Sequence, residues 1–335
     1  MSTLLMRMLA LGIAILSLAA ASAAQLQASP PIADPADARF QGVTEDWATP
    51  ALSASHLMPV RPLRAYLDNT HPEYTVELLQ LQWRFGDPLD VYVMKPTGVK
   101  NPPVILNLYG YPTDTDPYKN EVFQKALTKD GFAAVCFVSA LTGHRYHDRP
   151  LKEWFLSELQ ESLGTSAHDV QMVLDYLATR GDLDMNRVGI FGQGSGATIA
   201  ILASAADPRI KVLDVLDPWG DWPTWIAASP FVPADERAGY LKPEFLQRAA
   251  TLETLEWMAK IQAKKFRVQQ YALETDTPKA AKDKLRAAVP AGTAVVLYKT
   301  LAELTAAFPH STNLEWMERE LRALPEPATA APQQH

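Results

Sequence analysis

The stretch "VGIFGQGSGATIAIL", residues 188–202, decides the fold. A strand-like run from Val188 to Phe191 meets a corner containing Gly192, Gly194 and Gly196. It then passes directly into the helix-like Ala197-Thr198-Ile199-Ala200. A strand that turns this sharply into a helix crowds its own side chains, so small residues are needed two before and two after the corner. Centring the turn on Gly194 puts Gly192 and Gly196 in those places, whereas centring it on Ser195 puts the bulky Gln193 and Ala197 there. The corner is therefore read as centred on Gly194, where glycine also relieves backbone strain. Ser195 then falls in the first turn of the helix, its N–H facing the end of the sheet and its hydroxyl capping.

Working outward, short apolar runs alternate with helical periodicity. Glu77 to Trp83 and Leu89 to Met94 flank Phe85-Gly86-Asp87-Pro88, which predicts a hairpin. Val104 to Leu108 and Phe132 to Val138 have the continuous apolar character of strands buried on both faces. Further strands are expected at Val188 to Phe191, Val212 to Leu216, Arg267 to Leu273 and Thr293 to Tyr298. Leu151, Trp154, Phe155 and Leu159, then Val170, Val173, Leu174 and Leu177, follow helical spacing. Ser166 and Asp169 resemble a capping box at the start of the second of these helices. Leu314, Met317 and Leu321 close the series. Alternation of this kind implies an α/β fold: a mainly parallel, twisted sheet of about eight strands with helices on both faces. Ligands bind such sheets at the carboxyl ends of the strands.

The flanks read differently. Arg7, the apolar Leu9 to Leu18 and the small-x-small Ala21-Ser22-Ala23 form a secretory signal peptide over residues 1–24, which implies a periplasmic or secreted mature chain. That apolar core is shorter than the about 20 residues of a spanning helix, and no cysteine follows the cleavage point, so no stable membrane anchor is expected. Residues 25–70, with Ser29-Pro30-Pro31-Ile32-Ala33-Asp34-Pro35, read as an irregular lead-in. Residues 71–324 read as the folded domain, with a cap insertion at about 219–262, and residues 325–335 as a disordered tail. The 335-residue chain is 47% hydrophobic and 21% charged, enough for a large core. Its net charge of −7 and lack of a basic stripe exclude nucleic acid as a partner. Cys136 stands alone, so no internal disulfide forms, and its apolar setting marks a buried strand position.

From Glu77 to Leu324 the sequence resembles the α/β-hydrolase family, in particular its dienelactone-hydrolase and prolyl-oligopeptidase-like branch. The likeness is strongest over "HDVQMVLDYLATRGDLDMNRVGIFGQGSGATIAI" and "DPRIKVLDVLD". The resemblance implies a nucleophile elbow at the corner, where the family's serine position carries Gly194. It implies an acid after the strand Arg267 to Leu273, for which Glu274 and Asp276 are candidates, and a histidine after the last strand, for which His310 is the candidate. Oxyanion donors would be the backbone N–H of Ser195 and that of Tyr109 or Tyr111 in "LYGYP". Beside the positive end of the helix at the corner, these donors suit an anion.

Two more clusters stand near the ligand-binding end. "DPWGDWPTW" offers Trp219, Trp222 and Trp225 with Asp217 or Asp221, either as pocket walls or as packing under a cap. "TGHRYHDRP" offers His144, Arg145, His147, Asp148 and Arg149 at the pocket rim. Its H-x-x-H lacks a third ligand at fixed spacing, so no metal and no other cofactor is expected. His168 reads as a partly exposed helix residue. Gln193, Gly194, Asp217, Trp219, Trp222 and His144 are the expected pocket residues.

Three functions compete on these grounds. One is a pseudo-hydrolase that keeps the oxyanion-type pocket and binds a small anionic or aromatic molecule. Another is an ester or peptide hydrolase using Ser195, His310 and Glu274 or Asp276. The last is a partner-binding role with the tryptophan-rich cap as the contact surface. The sequence leaves the oligomeric state open.

Overall fold

The structure, a computed structural model, describes residues 63–82, 88–141, 145 and 159–325. The expected signal peptide, residues 85–87 of the expected hairpin turn, His144, His147, Asp148, Arg149 and nearly all of the tail lie outside the described residues.

Nine strands form one sheet: β1 (Leu63–Asp68), β2 (Tyr74–Leu81), β3 (Leu89–Pro96), β4 (Pro103–Leu108), β5 (Ala133–Phe137), β6 (Asp184–Gln193), β7 (Ile210–Leu216), β8 (Lys265–Tyr271) and β9 (Ala294–Tyr298). Their order is β1-β2-β3-β5-β4-β6-β7-β8-β9. The pairs from β1 to β5 are antiparallel, and every pair from β5 through β9 is parallel. All eight expected strands are present, with ends shifted by a few residues. The ninth, β1, falls inside the expected irregular lead-in and corrects that boundary. Its residues are almost all exposed, so it carries no alternation of burial for periodicity to detect.

Helices cover both faces. On one side lie α1 (Glu121–Thr128) and, near the carboxyl terminus, Met317 and Leu321 of a late helix, packed with Ile105, Phe191 and Val212. On the other lie α2 (Leu159–Ala178) and α3 (Ser195–Ala206), packed with Val104, Leu106, Val188 and Ile190. Between β7 and β8 come α4 (Trp222–Ala228), α5 (Arg237–Tyr240), α6 (Pro243–Ala249) and α7 (Thr254–Met258). The chain ends with α8 (Lys279–Ala287), α9 (Leu301–Ala307) and that late helix, α10 (Glu315–Arg322). Cys136 is fully buried in β5, as its apolar setting predicts.

The helix α2 corrects two expectations. It is continuous through Ser166, so Ser166 and Asp169 are not a capping box. The Ser166 hydroxyl donates to the Ser162 carbonyl one turn earlier and accepts the Ala140 N–H. Asp169 is fully buried and pairs with the buried Arg145 at 2.6 Å. His168 is 1% exposed rather than part of a solvent face. Helix α2 is packed all round, which a reading built on one apolar stripe does not anticipate.

The chain leaves β4 through α1 to β5 and returns through α2, on the opposite face, toward β6. This reversal beside β4 makes the carboxyl ends of β4 and β6 a topological switch point, the place where doubly wound sheets bind ligands.

Candidate active site

Strand β6 runs to Gln193, Gly194 makes the turn, and Ser195 begins α3. Gly194 has φ +57° and ψ −122°, a conformation that a residue with a side chain adopts only under strain. Its N–H donates to the Leu216 carbonyl at 2.9 Å, and its own carbonyl accepts from Ala197 and Thr198. A Cβ on Gly192 would lie 2.7 Å from the Ala197 Cα, and one on Gly196 would lie 2.5 Å from the Leu108 carbonyl oxygen. Both neighbours are backbone, so neither position can hold a larger residue without moving β4, β6 or α3. At Gly194 a Cβ would meet only Trp219 Nε1 at 3.7 Å and Gly110 Cα at 3.8 Å, which is ordinary contact. The corner thus has two closed positions around one that has room.

Ser195 does not face open solvent. It is fully buried, and its hydroxyl accepts the Tyr111 N–H at 2.9 Å. One of the two expected loop donors is therefore tied to the serine that follows the corner. The loop after β4 sits hard against the turn, since a Cβ on Gly110 would lie 2.5 Å from the Gln193 carbonyl oxygen. Tyr109 is packed between Tyr118 and Phe123, and burial pushes its phenol far above the ordinary range.

The acid side is held by a lysine. Asp217, at the end of β7, has φ +48° and accepts the Tyr271 N–H with its carboxylate at 3.0 Å. Glu274, after β8, accepts the N–H groups of Asp276 and Thr277. Lys282 from α8 reaches into this loop. Its Nζ lies 2.7 Å from the Glu274 carboxylate and 3.5 Å from that of Asp217, and it donates to the carbonyls of Tyr271 and Glu274. Burial pushes Asp217 up to about 7, against the pull of Lys282, and Asp276 up to about 6. His310 stands elsewhere, exposed, in a 3₁₀ turn at Pro309–Ser311 with φ +54°. Among the described residues no hydrogen bond or ion pair joins it to Glu274, Asp276 or Ser195.

The tryptophans are packing. Trp219, Trp222 and Trp225 are each at most 1% exposed, and Trp219 lies 4.9 Å from Trp225 and 5.4 Å from Phe231, ring to ring. The cap cannot present them as a contact surface. Trp219 is fixed over the corner because Thr198 of α3 both donates to its carbonyl and accepts its N–H, each at 2.9 Å. Glu253 caps α4 by accepting the N–H groups of Asp221 and Trp222, while Asp221 pairs with Lys284. Phe231 in turn meets Tyr111 edge-on at 5.5 Å, so cap and oxyanion-side loop form one packed unit.

Sequence reading missed two groups. Lys282 was detectable, because it shares the buried stripe of α8 with Ala281 and Leu285, an unusual place for a charge without a partner. The second is a buried network behind the sheet. There Arg267 grips Asp214 with two nitrogens, Gln269 donates to Asp214, and Tyr298 donates to Gln269. Its members come from three strands, and no local spacing signals it.

The sheet order, the strand-to-helix corner and the two-sided helical cover define the α/β-hydrolase fold. Solved structures agree with it. The acetyl xylan esterase from Paenibacillus sp. R4 superposes with a TM-score of 0.63 at 18% identity, over 88% of this chain and 96% of its own. Acetyl xylan esterase 1 from Thermoanaerobacterium sp. JW/SL YS485 gives 0.55 at 14% identity, over 72% and 82%. The acylaminoacyl peptidase of Pyrococcus horikoshii gives 0.57 at 16% identity, over 77% of this chain and 44% of its own. In sequence, the chain is 26% identical over 157 residues to the Bacillus subtilis (strain 168) protein named "Putative hydrolase YtaP", covering 42% of this chain and 52% of that protein. The chain thus spans about half the length of that curated relative. No protein-family model matches the chain. It is hydrolase-like in fold, and none of the described helices is long and apolar enough to cross a membrane.

Proposed function

We propose that this chain is an exported pseudo-hydrolase: a protein of the α/β-hydrolase fold whose nucleophile position is Gly194 and which binds a small molecule rather than cleaving one. The observation that carries the reading is the corner. Gly194 is held at φ +57° between two glycines that admit no Cβ, yet has room for one itself. An enzyme without its nucleophile loses on the order of a millionfold in rate. Ser195 is a poor substitute, because its hydroxyl is buried and already accepts the Tyr111 N–H. Nor is it supported by a triad, since Glu274 is engaged by Lys282 and His310 is exposed on another segment.

The ligand class follows from the groups around the corner. The Ser195 N–H opens α3, whose first turn carries a partial positive charge, and the half-buried Tyr111 stands beside it, backed by the packed Trp219. These groups favour a small anionic or aromatic molecule as the ligand. Export rests on Arg7, the apolar run and Ala21-Ser22-Ala23, and amino-terminal sequencing of secreted protein tests it by finding a start near Ala24 or Gln25.

The test of chemistry is labelling with a fluorophosphonate probe. The expected result is no labelling of the wild type and none of Ser195→Ala. A wild type that labels, with the label abolished by Ser195→Ala, makes the protein a serine hydrolase and overturns the proposal.

A further inference from the structure

The two edges of the sheet differ. At one, β1 has a bulge between Arg64 and Tyr66 and carries charges at Arg64 and Asp68. Bulges and charges are the usual means by which edge strands resist pairing with another chain. At the other edge, β9 is regular and has no charged residue from Thr293 to Tyr298. It also exposes Val295 and Leu297, at 43% and 41%, on one face. Leu301, in the first turn of α9 just beyond, is 41% exposed.

The hydrogen-bond parity of β9 shows what the edge can accept. The Ala272 N–H donates to the Tyr298 carbonyl at 2.8 Å. In a parallel ladder a residue directs its N–H and C=O to the same neighbour, and the next residue directs them to the other side. Ala294, Val296 and Tyr298 therefore serve β8, while Val295 and Leu297 turn their backbone groups toward the open edge.

We propose that β9 is a dimer contact, on which β9 of a second copy adds antiparallel about Val296 and continues the sheet across both chains. This register sets Val295 opposite Leu297 of the other copy and Leu297 opposite its Val295. Those are the residues with outward backbone groups, so each pair exchanges both of its hydrogen bonds. The same register brings the exposed valines and leucines together on one face and places Lys299 beside Thr293, so no like charges oppose. A surface that is its own complement about a twofold axis is the signature of an isologous contact. Shifting the axis by half a residue turns outward groups against inward ones. Moving it to Leu297 calls on Lys299, whose N–H is already given to Glu303. The inference is independent of whether the corner is catalytic.

The test is the mass of the purified protein by sedimentation at micromolar concentration. Wild type is expected at twice the chain mass. The double substitution Val295→Lys with Leu297→Lys sets lysines opposite lysines and should halve it. The combination Val295→Glu with Leu297→Lys sets each glutamate opposite a lysine and should restore the dimer, which only this register allows. Both sites are exposed, and circular dichroism verifies that each variant is folded. Leu63→Lys with Leu67→Lys on the far edge should leave the mass at twice the chain. A monomeric wild type overturns the proposal, as does a dimer indifferent to the lysine pair, or a glutamate–lysine combination that stays monomeric.

Discussion

Substituting Gly194 by serine separates a corner built around a side chain from a plain tight turn. The Cβ added there meets Trp219 Nε1 at 3.7 Å and Gly110 Cα at 3.8 Å, so packing contributes almost no penalty. What remains is the conformation. A residue other than glycine held at φ +57°, ψ −122° costs about 1–3 kcal/mol. Alanine at Gly196 adds a Cβ 2.5 Å from the Leu108 carbonyl oxygen, and alanine at Gly192 sets one 2.7 Å from the Ala197 Cα. Backbone atoms cannot rotate aside, so each of these should reach the upper end of overpacking costs, about 3 kcal/mol or more. Guanidinium unfolding midpoints of the three variants, at equal slope, measure the order directly. Gly194→Ser should be the mildest, and it should also be folded well enough to take up fluorophosphonate slowly, since it gains a hydroxyl but no base. If Gly194→Ser destabilises as much as Gly196→Ala, the space at the corner is not a side-chain position and Gly194 does not stand in a vacated nucleophile position.

Lys282→Met should cost about 3–5 kcal/mol above neutral pH, because it leaves Glu274 and Asp217 as carboxylates without their cation. Urea unfolding checks it, and the cost should shrink near roughly pH 5, where Asp217, raised to about 7, is protonated and carries no stranded charge. Asp217→Asn tests the sign of the buried carboxyl. Burial raises Asp217 to about 7, so between its unfolded value and neutrality the folded chain holds a proton that the unfolded chain has lost. Stability from that proton is fully present below the unfolded value and is lost as pH rises through the folded one. Asparagine does not titrate, so the variant should gain on the wild type between roughly pH 5 and pH 8. A constant difference across that range would refute the raised Asp217. Asp276, raised to about 6, contributes a parallel but smaller trend to both proteins.

The sheet was legible because its central strands are buried on both faces and leave long apolar runs: β4 and β5 are buried throughout, β7 and β8 nearly so, and β6 from Val188 to Gly192. Where a strand lacks that environment the signal is absent, as in β1, whose exposed Leu63, Tyr66 and Leu67 obey no period. The corner was legible for a different reason. Gly192 and Gly196 are demanded by backbone approaches of less than van der Waals distance, so the sequence there records a steric rule rather than a preference. Helix α2 misled because a helix buried all round lets Ser166, His168 and Asp169 sit inside, where polarity normally marks a surface or an end. Asp169 is tolerated because Arg145, far along the chain, supplies its counter-charge.

The acid loop shows why site residues are harder to read than folds. A carboxylate at the end of β7 and another after β8 are local facts, but their partner is chosen by the fold, and sequence reading looked for a histidine. At the corner, in the acid loop and after β9, three separate segments lack the same relationship. Gly194 has no hydroxyl, Glu274 is bonded to Lys282, and His310 is turned out to solvent. If Gly194 is the vacated nucleophile position, as proposed, nothing requires the acid to orient an imidazole. What persists is the electrostatic demand of the buried Asp217 and the half-buried Glu274 for a cation, and an ammonium on α8 meets it with four hydrogen-bonding or charged neighbours. On the proposed reading Lys282 and Gly194 are two consequences of one change, and the packing of the fold, not a reaction, holds the shape of the site in place.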